Sequence, residues 1–495
     1  MLIVGWLLLA GAWLFGNPPF AAPDEAEHFV RTVGIAQGHL VGSPAPEARI
    51  GVNPEEIKFD RGTQRAVVVP ARLDPKPFDC YLADPRKPAG CLNRPAARGA
   101  SVRRVTTVGT YPPLGLLAPA TVVSAGENPL EADHIGRLAG LLVALSLLIA
   151  AAVALFQSAG GWLSLVGLLA ACTPTAIFLA ASLTPSGLSV SAGIALSASW
   201  LTIDRTDTAP RWVWMLFGLS AAALSLSHPT GITWVVLLVS GFVALDGIGA
   251  VRQRVRYQLR VALPGLSVGG IGMLAGFAWH AVYGPITPVA YRAIRLGISR
   301  APDQYWGGVR DLVAGFGYLL FRVPLVLYLL WFAFVGMLAV TAVLVGERRE
   351  RKAVVIAGAL GVLIPVVLWI LFGRAVGIGL NGREYMPVLV AFPILAGEVV
   401  YRNRTRVSAA LARALTARAS TAAVVHFIAW YWNGRRAAVG TAGSLLFPAH
   451  AQWSPPLGWV TWMIVAGCGA LILAATSVVP ADLGRLLGRP TPHTR

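Results

Sequence analysis

The sequence predicts an all-α polytopic membrane protein of about twelve transmembrane helices (about 11–13) with a large first extracytoplasmic loop. Three observations predict it. Hydrophobic residues make up 56% of the chain and charged residues only 13%. Mean hydropathy is +0.64, too high for a soluble enzyme. The basic residues fall in short clusters between apolar runs, the usual way a membrane protein fixes its orientation. The net charge of +18 therefore does not signal nucleic acid. Basic residues are nearly all arginine, with lysine only at Lys58, Lys76, Lys87 and Lys352. That bias fits a GC-rich bacterial genome, such as an actinobacterial one.

The first run, "MLIVGWLLLAGAWLFG" over residues 1–16, lacks a basic n-region and a good cleavage site, so it reads as an uncleaved first span. Further spans are expected near 138–156, 162–182, 186–203, 211–227, 230–248, 261–283, 324–345, 353–372, 386–401, 419–432 and 457–478. The run 419–432 is short unless it extends back over Arg413 and Arg418. The segment 113–125 is short and lies between prolines, so it is expected not to cross. With that count, the basic loops 252–260, 347–352 and 402–406 and the tail 479–495 all come out cytoplasmic, as do both termini. The multi-span domain is then 138–478, and the polar segments 17–137, 284–323 and 433–456 lie outside. Asn403–Thr405 fits a glycosylation sequon but falls on the inner side.

The four cysteines divide by context. Cys172 and Cys468 lie in apolar runs and read as packing residues. Cys80 and Cys91 lie in the polar outer segment, where an oxidising compartment allows a disulfide.

The chemistry concentrates on the outer face. "NPPFAAPDEAEHFVR" (17–31) places Asp24, Glu25, Glu27 and His28 within five residues, just outside the first span. Pro23 suits a first helical position, and acids in a first turn stabilise a helix by about 0.3–1 kcal/mol. Helical spacing also brings Asp24, Glu27 and His28 to one face, with Arg31 a turn further. A carboxylate at that depth can act as general base, bind a divalent cation with Glu25 or His28, or relay protons. Arg137, Arg374 and Arg383 are the cations expected near the outer surface, as phosphate-binding groups or as snorkelling interface residues. Tyr111 and Pro112 in "TYPPLGLLAP" return the chain to the membrane as an aromatic-belt anchor or a lid. Thr184–Pro185 breaks the outer end of a span, where freed backbone groups often mark a cavity.

These motifs, with "GREYMPVLVAFPIL" and "NGRRAAVG", resemble domain-of-unknown-function family 2142 of bacterial membrane proteins, over nearly the whole chain from Asn17 to Gly458. That family is similar to the GT-C superfamily of membrane glycosyltransferases. The resemblance implies sugar transfer from a polyprenyl-phosphate-linked sugar to a cell-envelope glycan or glycolipid, on the outer face of the plasma membrane. It points to Asp24 as the catalytic carboxylate, acting as general base, with Glu25 beside it; His28 and Glu27, from their spacing, are the supporting acid/base or acceptor-binding candidates. Arg383 and Glu384 fall in the matching "GRE" motif, where the family often has Gly-Arg-Tyr. Thr184–Pro185 and Ser189 stand where it often has Asn-Pro and a Glu. "PDE" is not the Asp-x-Asp spacing that signals metal dependence, so the sequence names no cofactor and leaves a divalent cation, Mg or Mn, open. A transporter or flippase of envelope precursors and a non-catalytic assembly protein are the other readings.

Overall fold

The computed structural model describes residues 1–45, 62–97, 99–157, 162–284, 305–317, 321–375 and 381–478. The tail and most of the expected outer segment 284–323 lie outside the described residues.

The chain is a largely helical, multi-pass membrane protein. Its helices in order are α1 (Leu2–Gly16), α2 (Glu25–Ala36), α3 (Leu114–Val122), α4 (Pro129–Gln157), α5 (Val166–Ala171), α6 (Pro174–Ala180), α7 (Pro185–Arg205), α8 (Arg211–Ser227) and α9 (Gly231–Asp246). They continue with α10 (Ile248–Tyr257), α11 (Leu259–Tyr283), α12 (305–314), α13 (Leu325–Val345), α14 (Arg348–Ala375), α15 (Gly382–Leu389), α16 (Ala391–Arg402), α17 (Ala409–Val439) and α18 (Gly458–Val478).

Among the described residues seven helical segments are long and apolar enough to cross a membrane, or up to nine if two bent pairs each count as one span. This is fewer than the expected twelve, for identifiable reasons. The run 162–182 breaks at Pro174, and its two halves meet at 69°, because proline cannot donate the helical hydrogen bond. The run 230–248 ends at Gly247, where α9 turns by 99° into the arginine-bearing α10. Gly247 has φ 84°, a conformation that residues with a Cβ rarely adopt. Helices α1 and α8 are shorter apolar helices, as is the segment Leu114–Ala125. The run 419–432 lies inside the 31-residue α17, which does extend back over Arg413 and Arg418.

Packing follows small residues. Helix α11 buries Ala262, Gly265, Gly269, Gly272 and Gly276 against α8. A Cβ on Gly218 would overlap the Gly265 carbonyl, and one on Gly265 would overlap the Trp214 carbonyl. Small residues of this kind let two helix backbones approach closely where lipid supplies no hydrophobic drive.

The segment between α1 and α4 is not wholly helical, which departs from the all-α expectation. It carries an antiparallel sheet of β1 (Ser43–Pro44), β2 (Arg65–Pro70) and β3 (Ser101–Thr106), in the order β1-β2-β3. A second small pair joins β4 (Gly315–Phe316) to β5 (Phe321–Arg322). The β-branched content of "RAVVVP" and "SVRRVT" is the local signal. The Cys80–Cys91 disulfide forms in the same segment, beside the buried Tyr81. The Tyr81 hydroxyl donates to the Pro19 carbonyl at 2.6 Å, tying the disulfide region to the turn between α1 and α2.

Candidate functional site

Two prolines stop α1, and the chain turns through "NPPFAAPD" before α2 begins at Glu25. Phe20 (φ 65°) and Asp24 (φ 59°) both sit in the left-handed region, where a bulky phenylalanine is strained. Asp24 is therefore the residue before the helix, not part of its first turn, and its side chain makes no capping hydrogen bond. Its carboxylate is left for tertiary partners.

Arg383 supplies the first of them. It projects from the first turn of α15, which starts with Asn381 and Glu384 in a reciprocal capping box. The Arg383 guanidinium pairs with Asp24 Oδ2 and donates to the Pro23 carbonyl at 2.8 Å. The arginine side chain is 8% exposed and the aspartate side chain 34%, so a buried cation meets a carboxylate with a wet side. Burial pushes the Asp24 carboxyl up, but Arg383, His28 and His228 together hold it below its ordinary value.

His28 lies one turn along α2 and is buried. Burial drives its ionisation down to about 3, so the ring is neutral at physiological pH, and its Nδ1 has no hydrogen-bond partner among the described residues. Tyr111 bridges two imidazoles: its ring centre is 5.9 Å from that of His28 and 5.2 Å, edge-on, from that of His228. Burial raises the Tyr111 phenol above its ordinary value. His228 sits between α8 and α9, with Nδ1 2.8 Å from Thr230 Oγ1, and burial again depresses it to about 3. Pro112 is buried behind Tyr111. The groups gathered around Asp24 thus come from the start of α2, the strand-to-α3 connection, the α8–α9 turn and the start of α15.

The other expected residues are placed elsewhere or do different work. Glu25 is fully buried and forms a two-point pair with Arg137 at 2.8 and 2.7 Å. It also accepts from the Ala22 and Leu183 amides at 3.0 and 2.6 Å. Arg137 donates further to the carbonyls of Leu14, Asn17 and Pro18. Its five N–H donors are thereby used, leaving none for a phosphate. Asp133 completes this buried group at 2.9 Å from Arg137. Glu27 accepts from the Thr107 amide at 2.9 Å, which fastens α2 to the end of β3. Arg31, one turn on, donates to the carbonyls of Val108 and Tyr111 and holds Tyr111 in place. Thr184 accepts from the Ser186 amide at 3.3 Å as the cap of α7, and Pro185 packs on Gly115 at the foot of α3. Arg374 lies in the last turn of α14, and its side chain falls outside the described residues.

His228 is the member that sequence reasoning missed. Its signal was "HPTG", an outer turn at the end of an apolar run, but nothing in the sequence pairs that turn with Tyr111. Among the described residues no group of three or more His, Cys, Asp or Glu side chains is arranged to hold a metal ion.

Beside α15 lies an apolar cavity of about 230 Å³. Its walls include Met386, Leu389 and Val390, which follow Arg383 on the same turns, with Trp331 and Val335 of α13 opposite. Charged head and greasy channel are therefore carried by one short stretch of helix.

Residues 7–392 match a family model described as "Predicted membrane protein (DUF2142)". No curated protein matches the chain. Among solved structures, the crystal structure of ArnT from Cupriavidus metallidurans in the apo state aligns over 77% of this chain and 71% of its own, at 16% identity and a TM-score of 0.36.

Proposed function

This chain belongs to the DUF2142 family of membrane proteins, and from that premise we propose that it is a membrane glycosyltransferase of the GT-C kind. It moves a sugar from a polyprenyl-phosphate carrier to a hydroxyl of a cell-envelope glycan or glycolipid, on the outer face of the bacterial plasma membrane. The observation that carries this reading is the Asp24–Arg383 pair, in which a partly exposed carboxylate meets a buried guanidinium. The motif resemblance, which names Asp24 independently, supports it.

The chemistry is a single displacement. Asp24 accepts the proton of the acceptor hydroxyl as that oxygen attacks the anomeric carbon. The bond from that carbon to the phosphate oxygen breaks, and the electron pair leaves on the polyprenyl phosphate. Arg383 stabilises the charge that develops there, and the buried setting strengthens the interaction. With Asp24 as the single base, a direct displacement inverts the sugar. His28 and His228, both neutral, offer hydrogen bonds to sugar hydroxyls without adding charge. The apolar cavity beside Met386 and Leu389 suits the carrier's isoprenoid chain.

The outer-face placement is part of the proposal and follows from the basic-loop pattern of the sequence, which puts the segment after the first span outside. The test is transfer by the purified protein from a panel of radiolabelled polyprenyl-phosphate sugars. Donor-dependent labelling of a glycan or glycolipid acceptor supports the reading. Vectorial movement of the intact carrier without transfer would instead favour a flippase.

A further inference from the structure

Arg383 is under-used where it stands. Nη1 is anchored on the Pro23 carbonyl at 2.8 Å and Nη2 is on Asp24. Nε, on the same edge of the guanidinium as Nη2, is buried with no hydrogen-bond partner among the described residues. That edge presents two parallel N–H donors, which match two oxygens of a carboxylate or phosphate. Asp24 fills only half of it. Its backbone is fixed in the left-handed region before α2, and a single oxygen reaches the arginine. The groups facing Asp24 are Arg383, His28 and His228, with Glu27, Tyr111 and Glu384 also close enough to feel its charge. Arg383 is the only permanent cation among them.

We propose that Arg383 changes partners: it holds Asp24 until the lipid donor arrives, then gives its Nε–Nη2 edge to the donor phosphate and releases Asp24 to serve as base. This rests on the glycosyltransferase reading and deepens it, because it makes the base latent until the donor is in place. The Pro23 carbonyl keeps the guanidinium seated through the exchange. The phosphate carries one negative charge as a diester and gains a second as the sugar departs, so the hold of Arg383 strengthens toward the transition state. Donor must then bind before acceptor.

The exchange has a signature that a purely structural ion pair lacks: removing the Asp24 carboxylate should strengthen phosphate binding. The probe is farnesyl phosphate, titrated against the purified full-length protein by intrinsic tryptophan fluorescence, with farnesol as the control. For Asp24→Asn, affinity should rise on the order of tenfold. For Arg383→Gln it should fall by a similar factor, and the double variant should bind no better than Arg383→Gln alone. Asp24→Gly is the second variant, since glycine adopts φ 59° readily, and it should also bind more tightly. Unchanged or weaker binding by both Asp24 variants, with Arg383→Gln still impaired, overturns the exchange and leaves the phosphate role of Arg383 intact. If the wild type binds farnesyl phosphate no better than farnesol, the donor reading itself fails together with the exchange.

Discussion

Arg383 reaches Asp24 across 359 residues of sequence, and this single contact joins the first outer turn to the start of α15. A carboxylate just after one apolar run and an arginine just before another come together only through the fold. The buried guanidinium makes the half-exposed carboxylate a specific chemical group instead of a surface charge.

Loss of the base should be severe. Asp24→Asn keeps the size and tolerates the left-handed backbone, so the protein should fold and elute as the wild type does. Its turnover should drop by about 10²–10⁴-fold, the usual contribution of a positioned general base. Wild-type turnover in a well-folded Asn variant would remove Asp24 from the mechanism.

Replacing Arg383 by lysine should not rescue function. Lysine keeps the charge but lacks the planar edge that can grip a phosphate and the Pro23 carbonyl together. KM for a polyprenyl-phosphate sugar should rise at least tenfold in Arg383→Lys. Kinetics within twofold of wild type would mean that the guanidinium shape is irrelevant.

The Glu25–Arg137 pair should control stability, not chemistry. Both side chains are fully buried, and removing one partner strands the other charge, at a cost of about 3–5 kcal/mol. Glu25→Gln should lower the melting temperature markedly. Turnover per folded molecule should fall far less than in Asp24→Asn. A Glu25→Gln protein that melts normally and is inactive would move Glu25 into the catalytic group.

Acid should loosen the fold through the two buried imidazoles. His28 and His228 ionise near 3 in the folded protein, against an ordinary 6.5. Below about 6.5 the unfolded chain takes up protons that the folded chain refuses, so stability falls as pH drops toward 3. The expected slope is about 1.4 kcal/mol per pH unit for each histidine. Melting curves between pH 7 and 5 should show the decline, and His28→Asn or His228→Asn should flatten it. Equal slopes in all three proteins would contradict the buried, neutral assignment.

Much of the fold is legible in the sequence because a run of about twenty apolar residues is a strong local pattern. Each such run is helical in the structure, and even the weak 419–432 segment extends backward through Arg413 and Arg418 as its length requires. The bends at Pro174 and Gly247 are marked by residue type, but their angles come from tertiary packing. The small sheet left a β-branched signal in "RAVVVP" and "SVRRVT", but the pairing of those two segments across more than thirty residues has no local signature. Asp24 could be found from the density of acid around it and from its motif. The roles of its neighbours could not. Glu25 differs from Asp24 by one position, yet it meets Arg137, 112 residues away, instead of the pocket. His228 joins Tyr111 across a helix crossing that no local pattern records.

The central claim is that Asp24 and Arg383 transfer a sugar from a lipid phosphate. The most direct measurement is incorporation of radiolabel from polyprenyl-phosphate sugars into an envelope acceptor by purified protein, with wild type, Asp24→Asn and Arg383→Gln compared side by side. The account predicts labelling by the wild type with at least one sugar, and near-background labelling by both folded variants. Equal labelling by all three proteins, or none by the wild type with any donor in the panel, would contradict it.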